Sequence, residues 1–172
     1  MSNSDNRIWA PWRVDYILGT RPPSCPFCNI KAGCASPESL VLAVQEHAHV
    51  ILNRYPYSGC HILVCPHRHV AKLDDLTDLE YGQLMSLLRS SVAAVQSACS
   101  PEGINVGINL GSAAGAGIEE HLHFHVVPRW SGDTNFMTAV GDTRVMSQDL
   151  AHAWQMLRPE FESLDISLES SK

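Results

Sequence analysis

The sequence predicts a mixed domain in which short strands form a sheet and two helices pack on it. Three observations carry that reading. Apolar runs of strand length recur at residues 40–44, 49–52 and 60–65, and again in the histidine-rich stretch 121–127. Leu79, Leu84, Leu87, Leu88, Val92 and Val95 fall on a helical period behind a Thr77–Glu80 capping pair. The chain has 172 residues, 45% hydrophobic and 17% charged, enough for one real core and most simply a single domain.

Composition excludes several function classes. A net charge of −6 argues against broad nucleic-acid binding, so an anionic ligand must be held locally by backbone N–H groups and a few Arg and His. The start lacks a basic segment followed by an apolar one, and no apolar run approaches the roughly 20 residues of a membrane span. A soluble, cytoplasmic protein is the expectation. The six cysteines then belong to a reducing setting, in which paired cysteines are expected to bind metal or do redox work rather than form disulfides.

Taken in order, residues 1–24 form an aromatic-rich arm in which Pro11 interrupts any strand and Trp9 and Trp12 need burial, on their own domain or on a partner subunit. Cys25-Pro-Phe-Cys28 has the spacing of a zinc knuckle and of a thiol–disulfide site; the Pro-rich turn before it, in place of a strand, favours zinc. Two further ligands, expected among nine histidines, are not selected by composition. Cys34, Cys60, Cys65 and Cys99 read as small buried hydrophobes. Residues 40–44 and 49–52 are strands about a polar turn, with His47 and His49 as turn and strand-edge residues. Asn53 to Gly59 is a loop, and Cys60 to Cys65 a strand ended by Pro66, in which His61 taken alone reads as a core histidine.

The helix opened by Thr77 runs to about Ala98. Gly103 to Leu110 is a strand ending in Asn109, and the small-residue loop Gly111 to Gly117 has the backbone freedom to converge N–H groups on an anion. No Gly-Lys-Ser/Thr follows, so it is not a Walker loop. From His121 to Val126 imidazole and apolar side chains alternate; as a strand, this puts His121, His123 and His125 on one face and Leu122, Phe124 and Val126 on the other. Three histidines in register suggest a nucleophile or metal site on a rigid element. Phe136 to Val145 reads as extended, Ser147 to Leu157 as a short helix capped by Ser147, and Glu160 to Lys172 as a loosely held acidic tail.

His121-Leu-His-Phe-His-Val-Val127 resembles the signature of the histidine-triad superfamily. Asn53-Arg54 through Pro66 resembles the fragile-histidine-triad hydrolases, and three more segments resemble the bacterial diadenosine tetraphosphate phosphorylase branch: Trp9 to Arg13 with Cys25 to Cys28, Asn109 to Gly117, and Pro128 to Phe136 with Thr143 to Val145. Together they cover roughly residues 7 to 150. The resemblance implies an α+β fold, with an antiparallel sheet of about five strands, one long and one short helix, and a homodimer whose sheets join into one. It implies an arm at 1–24, a domain at 25–150, and a helix end and acidic tail at 151–172. The chemistry implied is cleavage of dinucleoside polyphosphates through a nucleotidyl-His123 intermediate, with His125 and His61 in the phosphate pocket. Asn53 falls on the ribose-binding position. Asn109 and Gly115, Ala116 and Gly117 fall on the phosphate-binding wall, Asn109 standing where the eukaryotic hydrolases carry Gln. The implied zinc ligands are Cys25, Cys28, His69 and His121, with no organic cofactor. Inorganic phosphate resolving the intermediate would give ADP and ATP from diadenosine tetraphosphate. Water would give AMP and ATP. A nucleoside phosphoramidase and a catalytically silent nucleotide-binding dimer are the other readings.

Overall fold

The computed structural model describes residues 24–28, 30–133 and 149–164. Residues 1–23 of the aromatic arm, the stretch from Phe136 to Val145 and the last eight residues of the acidic tail lie outside them. Five strands form one antiparallel sheet: β1 (Val41–Val44), β2 (Ala48–Leu52), β3 (Ile62–Pro66), β4 (Gly103–Ile108) and β5 (Phe124–Arg129). Their order is β1-β2-β3-β5-β4, so the histidine strand is inserted between β3 and β4. Helix α1 (Asp78–Cys99) connects β3 to β4, and α2 (Leu150–Phe161) follows β5.

The sheet has two different faces. On one, Val50, Leu52, Ile62, Val64 and Val126 pack with Leu84, Leu87 and Val95 of α1 and Leu157 and Phe161 of α2 into the main core. Burial of that apolar surface is the dominant stabilising term. The other face carries the histidines and a small cluster of Phe27, Leu63 and Cys65.

α1 begins as its capping residues dictate: the Thr77 side chain accepts from the Glu80 N–H and the Glu80 carboxylate accepts from the Thr77 N–H. Leu79 departs from the expected apolar stripe and is 68% exposed. It stands five residues before Leu84, about 140° around the helix from it. α2 is capped by Asp149, whose side chain accepts from the His152 N–H, rather than by Ser147. The helix also runs on to Phe161, a fully buried core residue, so the tail begins later than Glu160.

The histidine strand is shorter than its alternation predicts. β5 starts at Phe124. The Leu122 N–H donates to the Val70 carbonyl at 2.8 Å, drawing the backbone off the ladder before the strand begins.

Candidate active site and metal centre

Register places the polar residues in rows. Residues opposite one another in an antiparallel pair share a face. Leu63 faces His125, which faces Gly107 on β4. One row over, the Asn53 N–H donates to the His61 carbonyl at 2.9 Å, continuing the β2–β3 ladder past Leu52 and Ile62. His61, His123 and His125 are all buried.

The hydrogen bonds of these rings fix their proton positions. The Tyr57 N–H donates to His61 Nδ1 at 3.0 Å, so the His61 proton sits on Nε2 and is donated to His125 Nδ1, also at 3.0 Å. Asn53 supports that arrangement: its Oδ1 accepts from the Tyr55 N–H at 2.9 Å, turning its amide nitrogen toward His61 Nδ1 at 3.3 Å. With Nδ1 an acceptor, His125 carries its proton on Nε2, a buried atom with no partner among the described residues. His123 is arranged the other way round. Its Nδ1–H donates to the His121 carbonyl at 2.8 Å, leaving a bare lone pair on Nε2. The site thus presents one unprotonated imidazole nitrogen beside one N–H donor.

Burial keeps the rings neutral. It pushes His61 down to about 3, helped by the charges His125 and His123 would carry, and His125 down to about 4, with His123 as the second cause. Burial also lowers His123, opposed by its bond to the His121 carbonyl. At pH 7 all three are neutral.

His121 belongs to a second constellation. Its Nε2–H donates to the Pro66 carbonyl at 2.8 Å, so Nδ1 is bare and faces the sulfurs of Cys25 at 3.4 Å and Cys28 at 3.5 Å. His69 Nδ1 lies 3.2 Å from Cys28 Sγ and 3.2 Å from His121 Nδ1. The four donor atoms all lie within 4.8 Å of one another, close enough to hold one metal ion. Tetrahedral zinc with ordinary bond lengths would separate its ligands by about 3.3 Å for N–N and about 3.6 Å for N–S, so the donor set fits. Without a cation, burial pushes the Cys25 thiol up to about 11. Phe27, between the two cysteines, joins this centre to the triad. Its ring is edge-on to His121 and tilted on His123, at 5.3 Å from each.

Residues 36–132 match the HIT domain model. An AP-4-A phosphorylase of Mycobacterium tuberculosis is 38% identical over 164 residues, 90% of this chain and 84% of that one. The chain belongs to the HIT-domain family. A zinc-bound HIT protein of Mycobacterium smegmatis aligns with a TM-score of 0.62 at 26% identity, over 82% of this chain and 95% of that one. A hypothetical histidine triad nucleotide-binding protein of Sulfolobus tokodaii has the same TM-score of 0.62 at 22% identity, over 81% and 93% of the two chains, and supports the fold.

Of the residues singled out in the sequence, His61, His123, His125 and Asn53 come together, as do Cys25, Cys28, His69 and His121. The HIT loop after β4 is only partly available. Its turn at Ser112–Ala114 uses the Gly115 N–H on the Ser112 carbonyl at 2.9 Å and the Ala116 N–H on the Gly111 carbonyl at 3.5 Å. Gly111 and Gly115 have φ of +81° and +83°, which glycine adopts without strain. Sequence reasoning missed three features. Phe27 bridges the two centres, and its position inside the Cys-x-x-Cys was the available signal. Tyr57 lies on His125 at 5.7 Å and 20°, with its ring 4.8 Å from His61. His49 is wholly buried and stacks on His67 at 5.1 Å, in place of the edge position expected for it. It lies opposite Cys65 in a strand paired on both sides.

Proposed function

We propose that this chain is a diadenosine polyphosphate phosphorylase. The observation that carries the reading is the pair of opposed tautomers: a bare His123 Nε2 beside a protonated His125 Nε2. His123 Nε2 attacks the α-phosphorus, forming an N–P bond as the bridging P–O bond breaks. With diadenosine tetraphosphate the leaving group is ATP, and an adenylyl group stays on His123. The positive charge that develops on the ring is held by the Nδ1–H bond to the His121 carbonyl. The His125 Nε2–H donates to a phosphate oxygen as charge builds there. His61 holds His125 in the tautomer that does this, and Asn53 and the Tyr57 N–H hold His61. Inorganic phosphate then displaces His123 and leaves as ADP. Asn109, just past the end of β4, and the wall formed by Gly115, Ala116 and Gly117 would face the phosphates; the Gly117 amide is the donor not used by the turn.

Cys25, Cys28, His69 and His121 would hold a structural zinc. Bound there, zinc supplies a closed cross-link that fixes the start of the histidine strand. The free backbone edge of β4 is the place at which a homodimer would join two sheets.

The named activity of the M. tuberculosis relative favours phosphate as the second acceptor. A second reading, hydrolysis, has support from a Dictyostelium discoideum bis(5′-adenosyl)-triphosphatase, 32% identical over 54% of this chain and 61% of its own length. Chromatography of products formed from diadenosine tetraphosphate with and without inorganic phosphate separates the two. ADP and ATP forming only with phosphate is the expected result. AMP and ATP regardless of phosphate would establish the hydrolase instead.

A further inference from the structure

β4 presents Asn105 and Gly107 on the histidine face, and Gly107 is the cross-strand neighbour of His125. A glycine inside a strand weakens it unless something needs the space. Among the described residues nothing does: a Cβ built on Gly107 would meet none of their atoms within 4 Å. Its backbone needs no glycine either, since its φ lies outside the positive range. The room is left for something outside the described chain.

The two sides of His125 differ. Toward β3 its ring is packed by Tyr57 and His61, and its Nδ1 is occupied by His61. Nε2, on the far side of the ring from that bond, is buried and unpartnered among the described residues, and toward β4 the neighbouring position has no side chain. The strip beyond is polar. Arg129 Nη1 donates to Asn105 Oδ1 at 3.0 Å; because arginine only donates, the oxygen must face it and the Asn105 amide N–H groups turn away. Asp133 holds the Arg129 guanidinium at 2.6 and 3.0 Å, fixing the carboxamide in turn. A fixed carboxamide beside bare backbone suits an anionic chain rather than a purine ring, which would want an apolar platform.

We propose that the polyphosphate chain leaving the attacked phosphorus runs along β4 over Gly107, with Asn105 donating to it, and that Gly107 sets which leaving groups the site admits. This rests on the nucleotidyl-transfer reading above. Gly107 and Asn105 act on the leaving chain, and neither takes part in the attack.

The test compares two substrates that share the adenylyl group and differ in what leaves: diadenosine tetraphosphate, and an adenosine phosphoramidate with a small amine. Gly107→Val places a branched side chain in the strip and suits a strand, so its melting temperature should match or exceed that of the native chain. Its kcat/KM for diadenosine tetraphosphate should fall about tenfold or more relative to its kcat/KM for the phosphoramidate. Asn105→Ala should shift the same ratio in the same direction, chiefly through KM. Equal losses on both substrates would place the strip against the adenylyl half and overturn the proposal, as would no loss on either. If the native enzyme turns over neither substrate, the underlying reading fails by itself. Titration of diadenosine tetraphosphate into His123→Ala, with and without Gly107→Val, then decides the proposal on binding alone: weaker binding with valine supports it, and unchanged binding refutes it.

Discussion

Replacing Phe27 by Ala is the perturbation whose size follows most directly from the structure. Phe27 is 5% exposed and closes the small cluster with Leu63 and Cys65, against Ile51 and Ile118. Removing a buried phenyl ring costs about 3–5 kcal/mol through lost transfer energy and the cavity left behind. This cluster is bordered by half-buried Cys25 and Ile118, which have room to relax, so the lower end applies: about 3 kcal/mol, or roughly 6–12 °C in melting temperature for a chain of this length. The ring's contacts with His121 and His123 are included in that figure. Urea unfolding of the zinc-loaded protein measures it, with an unchanged slope expected because the surface exposed on unfolding is nearly the same. A loss below 1 kcal/mol would mean that Phe27 does not join the two centres, and that the knuckle and the triad are energetically separate.

Other perturbations have equally definite outcomes. Cys25→Ser should lower bound zinc, read by metal analysis of the purified protein, and lower the melting temperature more than it lowers turnover; unchanged zinc content would remove Cys25 from the ligand set. His61→Ala leaves the buried Nδ1 of His125 unpaired, at a cost of about 1–3 kcal/mol in stability, and should lower kcat by freeing the tautomer. Retention of full kcat would show that His125 needs no partner to stay oriented. His49 supplies a pH test. Burial, with the charges of His67 and His121 behind it, pushes its pKa down to about 3, from about 6.5 in the unfolded chain. Below pH 6.5 the unfolded state takes up a proton that the folded state refuses. Stability is therefore full above that pH and lost as the pH falls toward 3. Unfolding free energies of the native chain and His49→Leu between pH 7 and pH 5 should diverge, with the native chain falling more steeply by up to about 1.4 kcal/mol per pH unit. Parallel curves would mean His49 is not held neutral.

The sequence revealed the elements more readily than their ends. The Thr77–Glu80 pair marked the start of α1 because capping is local chemistry, complete within four residues. The cap of α2 was misplaced because Ser147 and Asp149 are both good caps, and which one acts depends on where tertiary packing of Leu157 and Phe161 sets the helix. The alternation at 121–126 correctly paired histidines and apolar residues, yet it could not show that the Leu122 N–H leaves the sheet for Val70. His49 was misread because a polar residue near a strand end is indistinguishable in sequence from one that finds a stacking partner, here His67, eighteen positions on. The metal quartet was half legible: Cys-x-x-Cys spacing announced two ligands, while His69 and His121 came only from family resemblance, since their meeting is a product of the fold. Gly107 had no signal at all, because a strand glycine acquires meaning only once its neighbour is known to be His125.

The claim that everything else depends on is that His123 becomes covalently nucleotidylated. Rapid acid-free quenching of the enzyme with diadenosine tetraphosphate in the absence of inorganic phosphate, followed by mass spectrometry of the intact chain and its peptides, measures this directly. One added adenylyl group is expected on the peptide containing His123, absent from His123→Ala and discharged as ADP when phosphate is added. Products accumulating with no adduct at any time, or an adduct that survives in His123→Ala, would contradict it.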